Sequence, residues 1–283
     1  MKPYHHQQQA LAKVFIFCAL NCEAKPLIAA WRLKKISLPG LPFAIYSNQT
    51  RVLIISGVGK SAMAGAVGYV LGQFTHRHPR PLLINIGIAG HIQHALGDIF
   101  LVHKITDVDT GRTLFPQLPF SVPCMTSGLT TYSKPQNQYS ADDLCDMEAA
   151  GFYEMAVKFN CSELTQVVKI VSDNLQSPVT NIHEAGVENW VGERLDIIES
   201  LIAEMTILQN LSADAPDRLL LEACLTRFHF TASHQSRLNA LFTRWAVIKG
   251  TQEPDWSAAV HVKSAGQLID WLEWQLEEVD FSL

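Results

Sequence analysis

Two acidic positions carry the strongest chemical signal in this chain. Glu148 lies in Cys145-Asp146-Met147-Glu148-Ala149-Ala150-Gly151, which opens an apolar helical stretch. Asp173 closes a second apolar run, Val167-Val168-Lys169-Ile170-Val171-Ser172-Asp173. A carboxylate opening a helix and another closing a buried strand are placed to meet at one rim of a parallel sheet, where open α/β folds bind their ligands. Two carboxylates in one cleft suit the handling of a sugar and its leaving group. Glu23 follows an apolar run at the start of a helix, where its charge is either a dipole partner or part of a site. Lys169 interrupts an otherwise apolar strand. It must pair with a carboxylate in a site or lie on an exposed edge.

Other motifs are weaker. Ser56-Gly57-Val58-Gly59-Lys60-Ser61 follows a strand but lacks the GxxxxGK[ST] spacing of a triphosphate loop. Its glycines, like those of Asn85-Ile86-Gly87-Ile88-Ala89-Gly90, let the backbone approach either a ligand or a packed helix. His76-x-His78 and His91-x-x-His94 come without an acid or cysteine set at ligand spacing, so they read as solvated or helix-surface histidines and no metal is expected. A GxSxG elbow is absent from the sequence, which disfavours a serine hydrolase. The six cysteines form no CxxC pairs and read as reduced thiols.

These groups must be positioned by a core, and 283 residues at 48% hydrophobic are ample for one. Strands are expected over residues 13–20, 43–46, 51–56, 81–86, 97–102 and 165–171. Helices are expected over 23–33, 60–74, 146–160 and 193–211. Such alternation argues for an α/β core with a largely parallel sheet. Composition then changes: only glycines 192, 250 and 266 lie beyond residue 190, while five of the six tryptophans fall from 190 onward. Helices are expected over 216–228, 235–247 and 264–279, with Ser264 as an N-cap. The expected organisation is a flexible tail over 1–12, an α/β domain over 13–211 and a helical extension over 212–283. The formal charge of −5 and the lack of a basic stripe disfavour nucleic acid as a partner. No apolar run has membrane-spanning length and the start does not read as a signal peptide, so the expected location is the cytoplasm.

Taken in order, Ala19-Leu20-Asn21-Cys22-Glu23, Ser56-Gly57-Val58-Gly59-Lys60, Asn85–Gly90, Gly97-Asp98-Ile99, Asp146-Met147-Glu148-Ala149 and Val171-Ser172-Asp173 resemble the nucleoside phosphorylase/nucleosidase superfamily, over roughly residues 13–210. Within it they look most like 5'-methylthioadenosine/S-adenosylhomocysteine nucleosidase and futalosine hydrolase. The resemblance implies a three-layer mixed sheet flanked by helices, no cofactor, a small nucleoside substrate, and assembly as a homodimer or larger homo-oligomer. It makes Asp173 the acid that protonates the purine at N7, Glu23 the group that orients or deprotonates the attacking water, and Lys169 a cation near that water. Met147 and Glu148 would hold the ribose. Ile88, Gly90, Gly59 and Ser172 would line the site, and Tyr132 would stand in for the base-stacking aromatic after Ser127-Gly128.

The chemistry fits that assignment. Cleaving an N-glycosidic bond needs a better leaving group and a stabilised oxocarbenium-like sugar, and an acid at the base with carboxylates at the ribose supplies both. Asp173 would have to hold a proton near neutral pH, which requires burial or a neighbouring carboxylate. Departures from the family pattern are Ile88, where nucleosidases commonly carry Ser, and a shorter stretch between Asp98 and Asp146. Asn85 stands where many phosphorylases carry a phosphate-binding Arg, which favours water over phosphate as nucleophile. The leading expectation is a purine-nucleoside N-ribosyl hydrolase. Its rivals are a phosphate-dependent phosphorylase and a non-catalytic nucleoside-binding protein.

Overall fold

A computed structural model describes residues 14–37, 40–74, 80–136, 143–212, 218–249 and 252–277. In chain order the first unit runs β1 (Val14–Cys18), α1 (Asn21–Ala30), β2 (Lys34–Lys35), β3 (Ala44–Ser47), β4 (Arg51–Ile55), α2 (Lys60–Phe74), β5 (Leu82–Gly90), β6 (Ile99–Asp107) and β7 (Thr113–Leu114). It continues through β8 (Met125–Thr131), β9 (Leu144–Asp146), α3 (Ala149–Ala156), β10 (Thr165–Asp173), α4 (Glu184–Glu193) and α5 (Leu195–Ser212). The helices α6 (Arg218–Arg227), α7 (Ala232–Lys249) and α8 (Ala265–Glu277) follow. The chain divides into two compact units, Met1–Gln209 and Asn210–Leu283.

The ten strands form one mixed sheet, nine of them ordered β10-β6-β8-β9-β5-β1-β4-β3-β2 and β7 paired with β6 off that path. Because β10 also pairs with β5, the run β5-β10-β6-β8-β9 returns to β5 and the sheet closes partly on itself. Successive strand residues point to opposite faces, so a strand apolar at every position must be covered on both. β1 behaves this way. Phe15 and Phe17 enter one core with Ile54, Val67, Phe100 and Phe152, while Val14, Ile16 and Cys18 enter a second with Leu53, Ile84, Ile170 and Met205. Within the first unit, α2 and α3 cover one face and α1, α4 and α5 the other, giving the three-layer α/β architecture that the resemblance implies.

The parallel pairs β1–β4, β1–β5 and β5–β10 bring the carboxyl ends of four strands to one edge. Cys18, Ile55, Gly90 and Asp173 end these strands, so the segments that follow them share that rim. Gly57 and Gly59 turn the chain out of β4 with φ of 81° and 105°, values that a side chain would strain.

Strand β8 and helix α4 are not among the expected elements, and three further elements differ from expectation. Leu144–Asp146 is a strand, because its residues pair with Leu129, Thr130 and Thr131 of β8; the helix begins only at Ala149. The expected helix over 193–211 is broken at Arg194, whose Nε donates to the Gly97 carbonyl at 2.8 Å, so two helices meet there. Residues 87–90 continue β5 as strand beyond the expected end at 86. In the second unit, Ser264 accepts from Gln267 N ahead of α8, the capping expected of it. Leu238, Phe242, Leu268, Ile269 and Leu272 form that unit's own core. No helix among the described residues is long and apolar enough to cross a membrane.

Candidate active site

The segments at the strand-end rim carry four buried acids, Glu23, Asp146, Glu148 and Asp173, and a buried cation, Lys169, joins them from mid-strand. Glu23, in the first turn of α1, is 2% exposed. Its Oε2 accepts from the backbone N–H groups of Ala19 (2.8 Å) and Leu20 (2.9 Å), and its Oε1 from Ile88 N (2.9 Å). Burial pushes its carboxyl above the ordinary range; the Lys169 cation and the three N–H donors pull the other way. Gly87 is what lets these groups meet. A methyl at that position would stand 3.0 Å from Glu23 Oε1 and 3.2 Å from Lys169 Nζ.

Lys169, mid-strand in β10, is 1% exposed and pairs with Asp146 Oδ2 at 2.9 Å. Burial disfavours its charge, but Asp146, Glu148 and Glu23 together outweigh that and hold its pKa above the usual lysine value. The choice left open by its position in the sequence is therefore decided: it is a buried, paired cation and not an edge residue.

Glu148 precedes α3. Its Oε1 accepts from Gly59 N at 2.8 Å, tying the β4–α2 loop to the start of that helix. Burial, reinforced by the charges of Asp146 and Glu23, raises its pKa to about 7; Lys169 and the Gly59 N–H oppose the rise. Asp173, at the end of β10, is buried, and Ser172 Oγ donates to its Oδ1 at 2.6 Å. Gly90 pairs with Asp173 on one side and Cys145 on the other, linking the two acid-bearing strands. Met147 and Ile88 are half-buried beside these groups in the chain. Tyr132 follows β8, and its N–H donates to the Asp146 carbonyl at 2.8 Å.

Two sequence readings need correction. Asp146 does not open the helix; it is the buried partner of Lys169, a role its local pattern does not display. His91 is neither solvated nor on a helix surface. It is 2% exposed, its Nδ1 accepts from Gln93 N and His94 N, and its ring lies against His94 and Phe100. His76 and His78 lie outside the described residues. Among the described residues no group of three or more His, Cys, Asp or Glu is gathered to hold a metal. Lys60, the lysine of the phosphate-loop-like segment, is occupied by Asp107 and Asp109, each at 2.5 Å. Asn85 spends its amide on the Phe17 carbonyl at 3.0 Å.

Solved nucleosidases share this mixed α/β fold. One is the 5'-methylthioadenosine nucleosidase of Arabidopsis thaliana in apo form, with a TM-score of 0.56 at 17% identity over 69% of this chain and 96% of that one. A second is the 5'-methylthioadenosine/S-adenosylhomocysteine nucleosidase of Colwellia psychrerythraea in complex with adenine (TM-score 0.55, 17% identity, 69% of this chain and 96% of that one). A third is a mutant of the futalosine hydrolase of Helicobacter pylori (TM-score 0.51, 13% identity, 68% and 99%). At these identities the likeness is one of fold. By sequence, no family model and no curated protein matches the chain.

Proposed function

We propose that this protein is a purine-nucleoside N-ribosyl hydrolase. The observation that carries the proposal is the buried Glu23–Lys169–Asp146–Glu148 cluster at the strand-end rim of a nucleosidase-like fold. Glu23 is a carboxylate made more basic by burial, and a base whose pKa is moved toward the working pH is a better acceptor for a proton from water. Lys169 beside it stabilises the negative charge that develops as water becomes hydroxide. Glu148, poised to titrate near neutrality, accepts from the ribose hydroxyls and offers negative charge to an oxocarbenium-like sugar. Asp173, held by Ser172, delivers a proton to the departing base.

Water is favoured over phosphate as the nucleophile. A phosphate dianion brings more negative charge than one lysine already paired with Asp146 can offset, whereas neutral water develops charge only as Glu23 takes its proton; Asn85 carries no charge and gives its amide to the Phe17 carbonyl. The test is a panel of purine nucleosides with and without phosphate, read by release of free base. Release with free ribose, independent of phosphate and lost in Asp173→Asn, is the expected result. Ribose 1-phosphate as product would make the protein a phosphorylase. Ligand binding with no base released, unchanged by Asp173→Asn, would make it a binding protein.

A further inference from the structure

Asp146 makes the densest set of contacts in the cluster. Its Oδ1 accepts from Thr131 Oγ1 at 2.7 Å. Its Oδ2 accepts from Glu148 N at 3.2 Å and Ala149 N at 2.7 Å, and pairs with Lys169 Nζ at 2.9 Å. Thr131 Oγ1 in turn accepts from Ala150 N at 3.1 Å. The first N–H groups of a helix lack partners within it, and the N-cap side chain normally supplies one. Here Glu148 occupies the N-cap position but makes no side-chain cap. Asp146 and Thr131 do that work from the adjoining strands.

We propose that Asp146 is a positioning residue that caps α3 in place of Glu148 and anchors Lys169, so that the Glu148 carboxylate is released from its own helix and aimed at Gly59 and the ligand. Of the N–H groups that an N-cap side chain can take, Ala150 N is already filled by Thr131, and the preceding Glu148 and Ala149 N–H groups are filled by Asp146. The same carboxylate sets the charge around Glu148, which is faced by Asp146 on β9, Lys169 on β10, Glu23 on α1 and the Gly59 N–H. This inference rests on the hydrolase reading for its kinetic arm only.

The test uses the full chain with ¹³C-carboxyl-labelled glutamate, the Glu148 signal being identified by its loss in Glu148→Gln. In Asp146→Asn a negative neighbour is removed and Lys169 is freed to act on Glu148. Both changes favour the ionised form, so the Glu148 titration midpoint moves down from about 7. The kcat for base release falls about 10²-fold, as expected for misplaced catalytic groups, while KM changes less. Asp146→Glu keeps the charge, leaves the midpoint near its wild-type value and recovers part of kcat. If Asp146→Asn does not fold, Asp146→Glu decides alone: a wild-type kcat with that displaced carboxylate overturns the proposal. An unmoved Glu148 midpoint in a folded Asp146→Asn also overturns it. A wild-type protein that releases no base refutes the hydrolase reading instead, and the titration still judges Asp146.

Discussion

Replacing Glu148 by Gln should make the protein more stable above neutral pH while disabling the site. Glu148 is 7% exposed, and its pKa rises from 4.5 in the unfolded chain to about 7 in the folded one. Between those values the folded state holds a proton that the unfolded state releases, so stability falls as pH rises through that window. Wild-type stability from this group is greatest below the unfolded pKa and is lost by the time pH passes the folded one. At about 1.4 kcal/mol per unit, a rise from 4.5 to about 7 amounts to on the order of 3 kcal/mol. Gln keeps an oxygen for the Gly59 N–H and carries no charge, so it escapes this loss. Urea unfolding of wild type and Glu148→Gln at roughly pH 5 and roughly pH 8 measures it. The variant's advantage should be larger at the higher pH by on the order of 3 kcal/mol. An equal difference at the two pH values would show that Glu148 is not held in a buried, acid-crowded position, and the reconstruction of the cluster would fail with it. The paired loss of activity would mark Glu148 as a group kept for function against stability.

Three further outcomes follow from the geometry. Gly87→Ala should lower kcat/KM about 10²-fold in a folded protein, because the methyl displaces Glu23 or Lys169 by a few tenths of an ångström or more; a wild-type rate would contradict the close approach. Glu199→Ala removes the acceptor shared by both Arg51 N–H groups and the Trp31 indole, and should cost about 1–2 kcal/mol in urea unfolding with base-release kinetics unchanged. Residues 1–209 expressed alone should fold with the sheet's own cooperative transition, since the first unit encloses its two cores without the C-terminal helices. Loss of cooperative unfolding in that fragment would count against independent units.

Much of the scaffold was legible along the chain because it rests on local periodicity. The unbroken apolar run at β1 requires cover on both faces, and the Ala- and Gly-rich segment after Gly59 forms α2 as its composition suggests. Gly57 and Gly59 mark a turn that other residues would strain, and Lys169 in an apolar strand announces a partner without naming it. The partner was decided in three dimensions. Asp146 lies three residues before a helix start and reads locally as part of it, yet pairing with β8 three residues deep holds it in strand and points its carboxylate at Lys169. His91 reads as a surface residue because nothing nearby in sequence shows that Phe100 and two backbone N–H groups enclose it. The pKa of Glu148 belongs to the same category. Residue type and spacing determine which groups can ionise and which elements carry them. The Coulomb and desolvation energies that set their protonation depend on distances and burial, and those exist only once residues far apart along the chain are packed together.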